Sequence, residues 1–464
     1  MAIAIERQQF AVVDPADGSV IETRESALPE DGIAAVDAAE AAAADWAARA
    51  PRERAETLRR AFDLMTARTD EVAHLIVREM GKPMAEARGE AAYAAEFLRW
   101  FSEEAVRANG EFAIAPGGAN RMLVGHAPVG IALLITPWNF PAAMATRKLG
   151  PALAAGCTVL LKPAQETPLT ALAIVGLLEE AGVPQGVVNA VCTAEPAPLA
   201  EAVLADPRVR KLSFTGSTAV GRRLLALCAP QVINASMELG GNSPFLVLDD
   251  ADLDVAIAGA MAAKMRNGGE ACTAANRFLV HESVAEDFTA GLTEAMAAVR
   301  VGSGFSEGAQ LGPLINEAAR EKVERLVADA VDRGARVRTG GERLPGPGFF
   351  YPPTVLDNVQ PGSAMLAEEV FGPVAPVMTF TDDDEALALA NDTEHGLVAF
   401  VFSRDLRRAM AVGEGIETGM VGLNRGVVSD PAAPFGGAKQ SGIGREGGHY
   451  GLLEFLEPKY FAFD

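Results

Sequence analysis

The sequence predicts an α/β fold in which helices cover parallel sheets, on three observations. From Val129 onward, short β-rich runs alternate with helical segments. A strand–helix–strand rhythm builds a parallel sheet with helices on both faces. The rhythm restarts after Gly241, so a second α/β unit follows the first. The chain has 464 residues, 49% of them hydrophobic. That is enough for two or three domain cores and far from a disordered composition.

Each element has its own signal. Asp31 to Asn109 predicts helices, because Ala-rich, charge-laced segments carry apolar residues at helical spacing, as at Leu58, Phe62 and Met65. The first α/β unit then reads VGIALLIT, a helix before Gly156, CTVLLKP, a helix ending near Gly182, VVNAV, VRKLSFTG and a helix from Ser217. In the second unit SPFLVLDD reads as a strand, Asp252 to Arg266 as a helix and RFLVHE as a strand. Two long helices and the strands LVAFVFS and GMVGLN follow. No repeat, low-complexity tract or long linker interrupts this order. The tail GLLEFLEPKYFAFD is apolar enough to dock, which is compatible with an oligomer contact.

The net charge of −22 argues against nucleic acid and anionic membrane surfaces as partners. Any anionic ligand therefore needs a local basic site. The four cysteines, Cys157, Cys192, Cys228 and Cys272, match neither a disulfide framework nor a zinc cluster, so reduced cytoplasmic thiols are expected. The N-terminus MAIAIERQQF lacks the pattern of a signal peptide. The longest apolar stretch, Val129 to Ile135 between Pro128 and Pro137, is too short to span a bilayer.

Three stretches carry chemistry. NGGEACTAANR (Asn267 to Arg277) places Cys272 in a polar, Gly-rich loop that is not expected to pack a core. MELGG (Met237 to Gly241) holds Glu238 against glycines, and TPWNFP (Thr136 to Pro141) pins the amide of Asn139. A thiol nucleophile, a base and an amide donor are the parts that acyl chemistry at a carbonyl requires. Taken alone, Cys272 is a small buried hydrophobe, Glu238 a surface carboxylate at a strand end and Asn139 a turn residue. The neighbours of Cys272 set it apart from Cys228, which lies at helical spacing in a core, and from Cys157 and Cys192, which adjoin apolar strands and are expected in cores.

FTGSTAVG (Phe214 to Gly221) follows a predicted strand and opens a helix. Gly216 permits the turn, and Ser217 caps a helix N-terminus able to receive a pyrophosphate. An ordinary Gly-Ser turn is the plainer reading. Lys162 ends a strand where α/β sheets bind ligands, or is simply solvated. Glu369 and Phe371 in EEVFGP offer a ribose partner and a ring, or a plain turn. Gly442, Gly444 and Gly447 spell G-x-G-x-x-G, but no apolar strand precedes them and too few residues follow, so a structural loop is expected. Arg147, Arg266 and Ser429 are scattered along the chain, with Arg266 at a helix end that suits its charge. No HExxH or Cys/His cluster occurs, and no metal is expected.

With these residues in hand, the chain resembles the aldehyde dehydrogenase superfamily, and within it the succinate-semialdehyde dehydrogenases. EMGKP (Glu79 to Pro83), TPWNFP, FTGST, MELGG, the Cys loop, EEVFGP, PFGG and the closing PKY occur in family order. The resemblance implies a Rossmann-type cofactor domain over 1–118 and 134–239, an α/β catalytic domain over 240–436, and a β-arm for oligomerisation over 119–133 and 437–464. It implies Cys272 as nucleophile, Glu238 as the base that activates the deacylating water, and Asn139 with the Cys272 N–H as oxyanion hole. Trp138, Lys162, Gln165, Gly216, Ser217, Glu369 and Phe371 would hold NADP or NAD. Arg147, eight residues after Asn139, Arg266, six before Cys272, and Ser429 in Asn424 to Ser429 match positions of that group, and two guanidiniums with a hydroxyl can clamp a carboxylate.

The expected reaction is NAD(P)-dependent oxidation of succinate semialdehyde to succinate in a cytoplasmic homodimer or homotetramer. Glutarate semialdehyde or broad aliphatic aldehydes are the alternatives. Four positions depart from the family. Ala274 replaces a second Cys, so no disulfide switch is expected. Glu270 stands where Gln is usual and Gln165 where NAD-preferring members commonly have Glu, so NADP use is expected. Arg425 lies beside the substrate segment. A CoA-acylating enzyme would not need Glu238, a P-loop hydrolase would need a motif absent here, and a non-catalytic scaffold would not need Cys272, Glu238 and Asn139 together.

Overall fold

A computed structural model describes residues 7–464. The chain opens with a hairpin, β1 (Gln9–Val13) and β2 (Val20–Glu25). Four helices follow: α1 (Pro29–Ala48), α2 (Pro51–Ala67), α3 (Thr69–Met80) and α4 (Met84–Glu104). The stop after α3 is local. Gly81 takes φ 89°, a left-handed cap that L side chains disfavour, and Lys82 and Pro83 lead into α4.

Next come β3 (Glu111–Ile114), β4 (Arg121–Pro128), β5 (Ile131–Ile135), α5 (Pro141–Ala155), β6 (Thr158–Lys162), α6 (Pro168–Glu180) and β7 (Val188–Ala190). The first unit closes with α7 (Pro196–Ala205), β8 (Val209–Thr215), α8 (Thr218–Cys228) and β9 (Asn234–Glu238). The second begins with β10 (Ser243–Val247), α9 (Leu253–Met265), β11 (Ala275–His281), α10 (Ala285–Ala297), α11 (Glu317–Asp332), β12 (Arg336–Thr339) and β13 (Thr354–Asp357). It continues through α12 (Ala364–Ala367), β14 (Val374–Phe380), α13 (Asp383–Asn391), β15 (His395–Gly396), β16 (Val398–Phe402), α14 (Leu406–Gly415) and β17 (Met420–Leu423). The chain ends with β18 (Ala438–Lys439), β19 (Gly442–Ile443), α15 (Gly448–Leu453) and β20 (Leu456–Phe463).

Two large sheets result. One has six strands in the order β19-β9-β8-β5-β6-β7, the other seven in the order β12-β13-β14-β11-β10-β16-β17. Strands β5, β6 and β10 are buried at every residue, the pattern of parallel strands covered on both faces. β5 pairs with β6 on one side and β8 on the other, both parallel. The strand order therefore reverses at β5, and the carboxyl ends of β5 and β8 flank the switch point where such sheets receive ligands.

Pairing departs from the expected boundaries at three places. β3 pairs with β4, and β4 with β20, in a separate three-stranded antiparallel sheet, so β3 joins the strands expected in the arm and not the six-stranded sheet. β5 begins at Ile131 inside the six-stranded sheet. β19 adds to that sheet antiparallel to β9. The approach at β19 requires glycine: a Cβ on Gly442 would lie 1.9 Å from the Met237 carbonyl oxygen. The Gly442–Gly447 stretch thus serves the backbone. The hairpin β1–β2 had no clear sequence signal, because only Phe10 and Val12 of β1 are buried. Cys157 and Cys228 are buried as expected, but Cys192 is only half-buried. Among the described residues, no helix is long and apolar enough to cross a membrane, and no group of three or more His, Cys, Asp or Glu could hold a metal ion.

Candidate active site

A cavity of about 280 Å3 opens at the switch point. Trp138, Asn139, Gly216, Ser217, Glu238, Cys272, Glu369 and Phe371 all reach its wall. Residues distant in sequence meet there because β5, β8 and β9 end side by side and the loop before β11 closes over them. Thr215 pairs with Glu238 in the β8–β9 register, which puts Ser217 and Glu238 at the same end of the sheet.

The Cys272 loop packs into a core, contrary to the expectation from its polar neighbours. Ala271 and Ala274 belong to the largest apolar core. Loop polarity is absorbed by side chains. The Glu270 carbonyl accepts from Asn139 Nδ2 at 3.0 Å and from Asn267 Nδ2 at 2.9 Å. The glycines are needed for close approach. Cβ atoms would lie 2.2 Å from the Gly372 carbonyl at Gly269 and 2.7 Å from the Cys272 carbonyl at Gly241. The Glu270 carboxyl points toward the chain at 315, where it accepts from Ile315 N at 3.1 Å. Burial pushes the Cys272 thiol up to about 12. Arg147 and Arg266 pull it down, while Glu369 and Glu238 push it further up. The resting thiol is therefore protonated.

Glu238 is buried rather than at the surface, and neither of its carboxyl oxygens has a hydrogen-bond partner among the described residues. Burial holds it well above the usual carboxylate range, and the like charge of Glu446 adds to this. Lys148, Arg147 and Arg445 oppose it. Glu446 is itself held by Lys148 Nζ at 2.5 Å, and Lys148 also donates to Ser213 Oγ at 2.9 Å. Asn139 Nδ2 spends one hydrogen on Glu270, which leaves its second hydrogen available.

The remaining cavity residues suit a nucleotide. Ser217 caps α8 through Val220 N, and a Cβ on Gly216 would lie 2.5 Å from the Phe214 ring. Glu369 is pushed up to about 7 by burial, and its one hydrogen bond among the described residues is a 3.5 Å contact from Gly241 N. Lys322 and Lys264 oppose that shift. Phe371, at φ 53°, turns its ring to meet Trp138 edge-on, 5.4 Å between centroids. A helix N-terminus, an under-bonded carboxyl and an aromatic wall fit a dinucleotide's phosphate, ribose and base or nicotinamide. Lys162 ends β6 and Gln165 lies on the loop after it, and neither lines the cavity wall. Lys162 is buried and donates to Pro163 O at 2.8 Å, whereas Gln165 is exposed.

The two arginines approach one ring. Arg147 and Arg266 each place their guanidinium carbon 5.8 Å from the Tyr93 ring centroid. Arg147 also donates to Tyr93 Oη at 2.7 Å, lies 3.7 Å from Glu446 and covers the Phe435 ring at 4.2 Å. Ser429 is half-buried on the loop that leads to Phe435, and it has no hydrogen bond to either arginine among the described residues. Tyr93, Lys148 and Glu446 were not legible as site residues. Lys148 sits beside Arg147 in sequence, but its partner Glu446 is 298 residues away.

A thiol and a buried carboxyl on one cavity wall, at the switch point of a dinucleotide-type sheet, define the class: an enzyme working on a carbonyl beside a nucleotide. The sequence profile of the Aldehyde dehydrogenase family matches residues 3–461, and the chain belongs to that family. It is 57% identical over 443 residues to succinate-semialdehyde dehydrogenase of Paenarthrobacter nicotinovorans, covering 96% of this chain and 98% of that one. It is 47% identical over 451 residues to the NADP(+) succinate-semialdehyde dehydrogenase of Escherichia coli K12, covering 97% and 93%. The crystal structure of succinate-semialdehyde dehydrogenase from Burkholderia pseudomallei superposes with a TM-score of 0.97 at 50% identity, covering 98% and 94%.

Proposed function

We propose that the chain oxidises succinate semialdehyde to succinate with a nicotinamide dinucleotide, NADP in preference. The observation that carries the substrate is the pair of guanidiniums, Arg147 and Arg266, both within 5.8 Å of the Tyr93 ring centroid and both acting on the Cys272 charge. In a chain of net charge −22, two buried or half-buried cations beside the nucleophile suit an anionic group at the far end of the aldehyde. Ser429 adds a hydroxyl to that end.

Cys272 Sγ gives its proton to solvent water, a loss that Arg147 and Arg266 ease, and the thiolate attacks the aldehyde carbon. The oxyanion lies between the free Nδ2 hydrogen of Asn139 and the Cys272 N–H, and one such donor contributes about 3 kcal/mol of transition-state stabilisation. Trp138, Lys162, Gln165, Gly216, Ser217, Glu369 and Phe371 would hold the dinucleotide, which when bound supplies the hydride acceptor. Cys272 then carries a thioester. Glu238, once ionised, takes a proton from water, and the hydroxide cleaves the thioester to release the carboxylate.

The four cysteines are free, which suits a reducing cytoplasm. The three-stranded sheet exposes Phe112, Ile114, Leu123, Tyr460, Phe461 and Phe463, apolar area that suits burial in a homodimer or homotetramer.

Initial rates with succinate semialdehyde and with an uncharged aldehyde of equal length test the substrate. Arg147→Ala and Arg266→Ala should each raise KM for the charged aldehyde far more than for the neutral one. Loss of one partner in a buried charge contact costs about 2–5 kcal/mol. Equal effects on both aldehydes would replace this reading with a broad aliphatic aldehyde dehydrogenase.

A further inference from the structure

EMGKP, Glu79 to Pro83, takes no part in the chemistry above, yet Lys82 in it is a buried charge, 3% exposed. Lys82 Nζ donates to the main-chain oxygen of Asn139 at 2.9 Å. It also donates to the Glu90 carboxylate and lies 4.0 Å from the Phe140 ring centroid. Glu90, on α4, is buried to the same degree. Its Oε1 accepts from Ala142 N at 2.9 Å and Ala143 N at 3.3 Å, in the first turn of α5. The pair therefore brackets Asn139 from both sides. The lysine holds its carbonyl, and the glutamate holds the helix that begins two residues later.

The bracket reaches the nucleophile loop. Asn267 Nδ2 donates to the same Asn139 oxygen at 3.0 Å, and Asn267 N donates to Glu86 Oε2 at 3.0 Å, one turn before Glu90 on α4. One face of α4 thus ties the start of α5 to the turn before Cys272. A buried ion pair is a poor source of stability, because desolvating both charges offsets their attraction. Apolar residues of equal volume would fill the space, but they could not donate to the Asn139 carbonyl.

We propose that Lys82 and Glu90 are positioning residues that fix Asn139 against the Cys272 loop, so that its free Nδ2 hydrogen is aimed where the oxyanion forms. This rests on the reading of Asn139 as an oxyanion donor. The effect belongs in the acylation half of the reaction, before any thioester exists.

The test is the burst of reduced nicotinamide in the full-length enzyme, with saturating succinate semialdehyde and NADP. Wild type, Lys82→Met, Glu90→Gln, Asn139→Ala and the double variants with Asn139→Ala are compared, with cofactor KM measured alongside. Misplacing a catalytic group by about an ångström costs on the order of a hundredfold. Lys82→Met and Glu90→Gln should therefore slow the burst by about ten- to a hundredfold at unchanged cofactor KM. Adding either to Asn139→Ala should cost nothing more, because the donor they position is gone. Should Lys82→Met not fold, Glu90→Gln carries the test, since the glutamine oxygen still accepts from Ala142 N while the ionic partner of Lys82 is lost. A wild-type burst in the folded single variants, or losses that multiply in the double variants, overturns the proposal. A wild-type burst in Asn139→Ala overturns the oxyanion reading itself and this inference with it.

Discussion

Replacing Glu238 with glutamine separates the two halves of the reaction. Neither carboxyl oxygen of Glu238 has a hydrogen-bond partner among the described residues, so an amide of the same shape gives up no bond there. Space is tight but unchanged: the site of a Cβ on Gly436 is 2.8 Å from Oε1. Burial and the like charge of Glu446 raise the Glu238 carboxyl well above the usual range, against Lys148 and Arg147, so a neutral amide disturbs the charge balance there less than it would in place of an ordinary carboxylate. The loss is therefore confined to proton abstraction. A positioned general base contributes roughly 10²–10⁴-fold, equal to about 2.7–5.4 kcal/mol of barrier. Steady turnover in Glu238→Gln should fall by that factor while a single burst of reduced nicotinamide, one per active site, survives. Stopped-flow absorbance at saturating substrate measures both. If the burst disappears along with turnover, Glu238 acts before hydride transfer, as the base for Cys272, and the assignment to deacylation is wrong.

Gln165→Glu should move kcat/KM toward NAD and away from NADP, because a carboxylate at this exposed position repels a 2′-phosphate. An unchanged ratio of the two cofactors in steady-state kinetics would remove Gln165 as selector. Glu79 offers a stability test. Burial raises its carboxyl to about 7, even though it accepts from Thr170 N and Leu169 N. The folded state therefore keeps a proton that the unfolded chain releases at lower pH. This contribution to stability is fully present below about pH 4.5 and is lost as pH rises through about 7. Between about pH 5 and about pH 8 the Tm of the wild type should fall more than that of Glu79→Gln; parallel curves in a melting experiment would contradict the buried, protonated state.

Periodicity made the sheets legible because parallel strands buried on both faces are continuous apolar runs, as in Ile131–Ile135 and Thr158–Lys162. It missed β1, β2 and β3, whose residues are mostly exposed and carry no such run. The cavity residues Trp138, Asn139, Gly216, Ser217, Glu238, Cys272, Glu369 and Phe371 stood out because each lies in a short polar or glycine-bearing break after or before a strand. Their support was hidden. Lys82 meets Asn139 across 57 residues, Tyr93 meets Arg147 across 54, and Lys148 meets Glu446 across 298. Such buried polar contacts depend on how α4 and the C-terminal segment pack against α5, which local spacing does not encode. The Cys272 loop was misjudged for a related reason. Its polarity argued against core packing, whereas its alanines pack into the core and the Glu270 carbonyl is matched by Asn139 and Asn267.

The covalent intermediate is the centre of the account, and mass spectrometry of Glu238→Gln, quenched in acid after reaction with succinate semialdehyde and NADP, tests it most directly. One succinyl group per chain should appear on the peptide that carries Cys272, and Cys272→Ala in the same background should show none. A Glu238→Gln enzyme that makes its burst of reduced nicotinamide with no acyl group on Cys272, or with the group on another residue, would contradict the mechanism.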